Sequence, residues 1–239
     1  VFSFHLAHLP ITTTVAVLVR PPTAASVPGL VHLEVLAGME LGSPVISPKR
    51  LQLRRSAVFA RWEDEAALES FLQDDPLGRR LAGGWHVRLE FVRRWGSVRG
   101  LADLPEEVGR TAPEEPVVAV TIARMRLPEL VRFIHWGRPV ERLVRDHPGT
   151  TLSLAAVRPP RTVSTFSVWR TAREMTDMVF GRSAVPGPER HAHAMVERER
   201  RDFHHEFTTL RFRPVSEHGM WDGQAGYVPG LTSGHGPAV

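Results

Sequence analysis

The chain has 239 residues, 42% of them apolar, with 30 Lys plus Arg against 26 Asp plus Glu and a net charge of +4, which is enough apolar material for an ordinary core and excludes a disordered chain. Arg outnumbers Lys 29 to 1, but the arginines are scattered near acids and form no basic run interleaved with aromatics, so no nucleic-acid partner is expected. The absence of cysteine excludes disulfides, zinc–thiolate sites, iron–sulfur clusters and thiol nucleophiles.

Val1 to Val19 lacks the charged start of a secretory leader, and no apolar run reaches the roughly 18 residues of an integral membrane segment. A cytoplasmic protein is the expectation. Thr12 to Arg20, β-branched and bounded by prolines, predicts a strand, and Pro28 to Met39 a helix. Leu51 to Trp62 reads as a strand, Glu63 to Gln73 as a helix with acids in its first turn, and Trp85 to Trp95 as an alternating strand. Gly96 to Pro116 is rich in Pro, Gly and acids and reads as a linker.

The pattern then restarts. Val117 to Met125 predicts a strand, Leu127 to Arg145 a helix, and Thr150 to Val157 with Arg161 to Arg170 a strand pair. Thr171 to Phe180 and Glu189 to Phe207 read as helices and Thr208 to Val215 as a closing strand, and the Gly- and Pro-rich stretch 223–239 reads as a flexible tail. A local echo joins the two runs: Phe59-Ala60-Arg61-Trp62 matches Phe166-Ser167-Val168-Trp169, and Leu68 and Phe71 match Met175 and Met178 at the same offsets. The expected fold is α+β: a ferredoxin-like half over 1–95, a linker over 96–116 and a second half over 117–222. Two such βαββαβ units, sheets facing and helices outside, form the dimeric α/β barrel.

The segment Phe166 to Gly223 carries a family resemblance. TFSVWRTAREMTDMVFG, followed by HAHAMVERERRDFHHEFTTLRFRPVSEHGMWDG, resembles the C-terminal part of the spheroidene monooxygenase family. The matching positions are Trp169, His191, Phe203, Glu206, Trp221, Asp222 and Gly223, with Phe203 standing where the family more often has Trp. The resemblance implies a haem-dependent oxygenase on the dimeric α/β barrel, a scaffold similar to that of chlorite dismutases and aldoxime dehydratases. It implies haem b as cofactor and a histidine as its iron ligand.

Two histidines compete for that role. His191 and His193 lie about 200° apart around one helix, so both cannot ligate one iron. Residues three and four positions away share a helix face, which sets Ala194 and Met195 beside His191 but Glu189 and Glu197 beside His193. Small and apolar neighbours suit a flat porphyrin and charged ones do not, so His191 is the expected metal ligand, with Ala194 and Met195 against the cofactor and His193 as the alternative. Periodicity also predicts a core-facing stripe of Ala192, Met195, Val196, Phe203 and Phe207. His204-His205 reads as surface decoration, and His86 has equal odds of facing in or out of its strand.

No G-x-G-x-x-G, G-K-[ST] or G-x-S-x-G motif occurs, which leaves nucleotide and serine-hydrolase chemistry without support. The expected function is therefore a haem-dependent monooxygenase-like oxidoreductase acting on a small hydrophobic or nitrogen-containing metabolite, with a homodimer possible. Two alternatives stay open: a cofactor-free antibiotic-biosynthesis-type monooxygenase or isomerase holding its substrate inside the barrel, and a non-enzymatic ligand-binding module.

Overall fold

The computed structural model describes residues 1–44 and 47–231. The first run of elements is β1 (Phe2–His8), α1 (Ile11–Val19), β2 (Leu30–Met39), β3 (Gln52–Trp62), α2 (Glu65–Asp74), α3 (Pro76–Ala82) and β4 (Trp85–Ser97). The second is β5 (Val117–Met125), α4 (Leu130–Asp146), β6 (Thr150–Arg158), β7 (Thr162–Trp169), α5 (Ala172–Val179), α6 (Arg190–Arg200) and β8 (His204–His218). Both follow βαββαβ, with the second helix split in two each time. All pairings are antiparallel, in the ferredoxin-like orders β4-β1-β3-β2 and β8-β5-β7-β6. The sheets do not merely face each other. A short seam from Ala37↔Val157 to Met39↔Ala155 and a long one from His86↔His218 to Ser97↔Phe207 close them into one eight-stranded barrel.

Closure explains where the sequence reading fails. β2 alternates from Val31 to Val35, but a bulge at Leu30/His32 and the run Val35-Leu36-Ala37, buried inside by the barrel and outside by helices, let its apolar residues fit a helix between Pro28 and Met39 equally well. Thr12 to Arg20 is helical despite its β-branched content, starting directly after Pro10; Thr14 is buried against Ser56 of β3, Oγ to Oγ 3.2 Å. The first strand lies earlier, at Phe2–His8, where Phe2, Phe4 and Leu6 point into the barrel. The helix expected over Glu189 to Phe207 stops at Arg200. Asp202 then turns the chain by accepting the His204 backbone N–H at 2.9 Å, and β8 begins.

Side chains fill the interior. Phe4 stacks on Phe166 from the opposite half, centroids 3.8 Å apart, and Phe2, Phe59, Phe91 and Phe212 form a second aromatic layer. Val98, Leu101 and Leu104, from the stretch read as a linker, belong to this core. At the other end Trp221 and Val228 are buried, and the Glu217 carboxylate accepts the backbone N–H groups of Tyr227 and Val228 at 2.8 and 2.9 Å. Tyr227, Val228 and Leu231 of the expected tail thus pack on the barrel, while Gly223 to Gly226 are exposed; 232–239 lie outside the described residues. Inside, Glu34 on β2 pairs with Arg124 on β5 and, at 3.1 Å, with Arg158 on β6, so one buried carboxylate ties the two halves together. Desolvation opposes its ionisation, but hydrogen bonds from His32 and Arg124 hold its pKa below the ordinary value.

On the outer face His5, His86 and His218 line up across β1, β4 and β8, ring centroids 5.1 and 4.8 Å apart. Burial, then a neighbouring imidazole and Arg88, pushes His5 far below the imidazole range and His86 down to about 3. Unfolded imidazoles titrate near about 6.5, so below that pH the unfolded chain binds more protons; each unit of difference is worth about 1.4 kcal/mol. Stability should be complete above about pH 6.5 and fall as the pH is lowered toward about 4. His86→Phe keeps a stacked ring and removes a titrating group, and should flatten the decline of Tm with acidification. A slope unchanged from the wild type would show that the ladder is not its cause.

Candidate functional site

The two halves treat their outer faces differently. Trp62, Leu68, Phe71, Leu77 and Leu81 fill the space between the first sheet and its helices. The second sheet is covered at its two ends only. At one end Val117 and Trp169 pack against Leu143 of α4 and Met175 and Met178 of α5; at the other, Ala123, Met125 and Val163 pack against Phe133, Trp136 and Phe203. Between them the floor carries small side chains, Ala119, Thr121, Ser167 and Thr209 among them, and Thr165 in the middle of β7 is open to solvent. Arg211, paired with Ala119, stands at the edge of this floor with its Nε buried and unpartnered.

The helix α6 flanks the floor. It buries no side chain completely, and Arg132 of α4 holds it through Glu197 at 3.3 Å, while Arg201 beyond its end pairs with Glu129. Its half-buried face carries His191, Ala194 and Met195, whereas Ala192, His193 and Val196 are exposed. The expected core stripe is thereby corrected at Ala192 and Val196: α6 lies on the sheet's margin, so only a narrow strip of it meets protein. His191 Nδ1 is buried and has no hydrogen-bond partner. Burial lowers the pKa of His191, and the Val179 carbonyl beside the ring partly opposes that.

His204 is the residue that sequence reasoning missed. It is 4% exposed, walled by Phe133, Phe203 and Phe207 at centroid distances of 5.6, 5.8 and 4.9 Å. Its Nδ1 faces Asp202 Oδ1 at 3.1 Å, and its Nε2 is buried without a partner. Desolvation outweighs Asp202 and brings its pKa down to about 4, so the ring is neutral. A carboxylate on one nitrogen fixes the tautomer and leaves a lone pair on the other, the arrangement of an oriented ligand or base. The signal was present in D-F-H-H-E-F: an Asp two positions before a His, and Phe on either side. It was hidden because the segment read as a continuous helix. His205 is exposed, as expected for both.

Of the other histidines, His86 lies in the buried ladder and His135 on the exposed side of α4. A polar hollow of about 170 Å³ opens at the short β2–β6 seam, beside Arg55, Arg145 and Trp221. Trp221 stacks on His8 at 4.7 Å under the Arg55 guanidinium, and Asp222 binds both His8 and Arg55. The W-D-G segment is therefore a clasp on the barrel mouth. Among the described residues no group of three or more His, Cys, Asp or Glu is placed to hold a metal ion. No helix among them is long and apolar enough to cross a membrane.

Fold and site together define an α+β barrel of two ferredoxin-like halves with a half-open cleft on the outer face of the second. No family model matches the chain. The chain is a homologue of spheroidene monooxygenase from Rubrivivax gelatinosus, with 30% identity over 173 residues, which cover 71% of this chain and 64% of that protein. It thus spans less than two thirds of that relative's length. Among solved structures, an aldoxime dehydratase in complex with butyraldoxime superposes with a TM-score of 0.49 at 7% identity, over 89% of this chain and 78% of that one. A putative monooxygenase from Fusobacterium nucleatum gives 0.37 at 7% identity, over 90% and 92%.

The His204 assignment has a direct readout. Imidazole nitrogen NMR should show His204 as the neutral Nδ1–H tautomer from pH 7 down to pH 5, its shifts moving only as the pH approaches about 4. Titration near the ordinary value of about 6.5 would mean that the ring is solvated and the cage open.

Proposed function

We propose that the chain binds haem b between α6 and the outer face of the second sheet, with His191 as the iron ligand, and acts as a haem-dependent, monooxygenase-like oxidoreductase on a small hydrophobic or nitrogen-containing metabolite. The observation that carries the reading is a half-buried His191 with an unpartnered buried Nδ1, on the half whose sheet has an outer face of small residues left open at Thr165. The name of the 30%-identical relative supports the same chemistry.

The residues present fit the group. A lowered pKa keeps His191 neutral at pH 7, the form that ligates iron, and the Val179 carbonyl is placed to fix the ring as an outer-shell partner. Ala194 and Met195 share its half-buried face and can lie flat against a porphyrin, while His193 points to solvent. Bound haem would supply an iron able to activate dioxygen or a peroxide. The chain's own part is to hold that group and keep water from it: Phe133, Trp136, Phe203 and Phe207 wall one end of the cleft and Met175, Met178 and Trp169 the other.

The cofactor-free alternative needs a substrate inside the barrel, and the stacked Phe4–Phe166 pair with its surrounding aromatic layer fills that space. Because the barrel closes within one chain, a homodimer would use the helical exterior. We infer a cytoplasmic location only from the cysteine-free composition.

The wild type and four variants test the reading. The wild type titrated with haem should develop a Soret band near one equivalent; its absence would remove the haem reading. His191→Ala should lose that band and His193→Ala should keep it, whereas the reverse would shift the ligand by two residues. Loss in His204→Ala with retention in His191→Ala would transfer the ligand to His204. Thr165→Phe should leave the circular dichroism unchanged and weaken haem binding about tenfold or more, since one ring would fill the opening in the floor.

A further inference from the structure

Close to His191 lies a second feature that the haem reading does not use. The ion pairs of Arg132 with Glu197 and of Arg201 with Glu129 set the start of α4 against the end of α6, so the two helices run antiparallel. Along α4 from Val131 to Arg142, on the side that meets Arg190, there is a cleft of about 400 Å³. Its apolar side is Val131, Ile134 and Pro139, and Val131 is 73% exposed. Its polar side is His135, Arg138, Arg142 and Arg190, with no acidic residue.

The charge is only distantly balanced: Arg142 acts on Asp146 without pairing with it. Arg132 and Arg145 on the same helix are paired with carboxylates, whereas Arg138, Arg142 and Arg190 make no ion pair among the described residues. The first two are nevertheless held in place. Arg138 Nε donates to the Gly42 carbonyl at 3.0 Å, and the stem of Arg142 packs so tightly on Gly42 that a Cβ there would come within 2.5 Å of Arg142 Cγ. Anchored stems with free guanidinium forks beside an apolar wall are pre-organised for a bidentate anion on an apolar body.

We propose that this cleft binds a carboxylate attached to an apolar molecule. The carboxylate can come from the propionates of a haem held by the adjacent His191, in which case the inference rests on the haem reading, or from a free amphipathic acid, in which case it does not. Calorimetric titration of the cofactor-free chain with octanoate, acetate and 1-octanol tests it. Octanoate should bind at least about tenfold more tightly than either acetate or octanol. The double variant Arg142→Gln/Arg190→Gln should lose about tenfold in octanoate affinity. Arg173→Gln, which removes an exposed pair with Glu114 away from the cleft, should lose nothing. Displacement of octanoate by saturating haem, together with weaker binding of haem dimethyl ester, assigns the carboxylate to the cofactor. Retention of octanoate beside bound haem assigns it to a free acid. Equal binding of octanol or acetate, or a double variant that binds like the wild type, overturns the proposal. A wild type that binds octanoate but gives no Soret band removes the haem reading and leaves the cleft standing.

Discussion

The barrel's closure through two unequal seams is the constraint from which the rest follows. The β4–β8 seam is long and regular, and the β2–β6 seam pairs only Ala37 to Met39 with Val157 to Ala155. Closure turns one face of all eight strands inward, and aromatic rings stacked from both halves occupy that space. Apolar burial on this scale is the main favourable term in folding. Where the short seam ends, Glu34 replaces missing backbone pairing with charge, reaching Arg124 and Arg158 from the other half. A buried carboxylate stripped of those partners would cost several kcal/mol, so this contact fixes the relative position of the halves as well as contributing to their adhesion.

With the interior filled, function is confined to the outside, and there the internal repeat is broken. Trp62 and Trp169 occupy equivalent places at the ends of β3 and β7, and each indole N–H donates to a serine hydroxyl, Ser3 and Ser167, at 2.9 and 2.8 Å. Past that shared point the halves diverge. The first continues with large side chains up to α2 and α3, and its helices seat firmly. The second substitutes Thr and Ala on the floor and carries Met175 and Met178 where the first has Leu68 and Phe71. Flexible methionine and small floor residues accommodate a variable occupant better than a fixed core does, and that difference is the reason the proposed site is put in the second half.

The halves' common order was legible because most of their strands and helices carry their own local signals: the acid-capped start of α2 at Asp64, the alternation of Val87, Leu89 and Phe91, the echo around the two tryptophans. What was illegible is what closure itself creates. β2 reads as a helix because its run Val35-Leu36-Ala37 is buried on both faces, and α1, uncharged and β-branched, takes its form from the surface of β3 and not from its own propensity. At the proposed site, the preference for His191 over His193 rested on helical neighbours; in the structure His191 is half-buried and His193 exposed. His204 could not be found the same way, since its burial depends on a helix ending seven residues earlier than periodicity implies.

That early ending has a chemical consequence. Were α6 to continue through Phe207, adjacent His204 and His205 would diverge around it and both would reach water. Ending at Arg200 instead lets Asp202 cap the first residue of β8 and orient its ring at once, through the backbone N–H and Nδ1 of His204. The bulge where Arg124 pairs with Glu206 and Met125 with His204 then turns that ring onto the same outer face as Phe207. One short segment so presents two neutral imidazoles to one layer: His191 at the start of α6, with a carbonyl for company, and His204 after its end, with a carboxylate. A carboxylate partner raises the basicity of the far nitrogen more than a carbonyl does, so the two rings are not equivalent. His191, on a helix that buries nothing completely, sits where a large flat group can enter. His204 is sealed among three phenylalanines on its Nε2 side and meets water only through the half-exposed Asp202 carboxylate, so it is fixed in one orientation where no large group can enter.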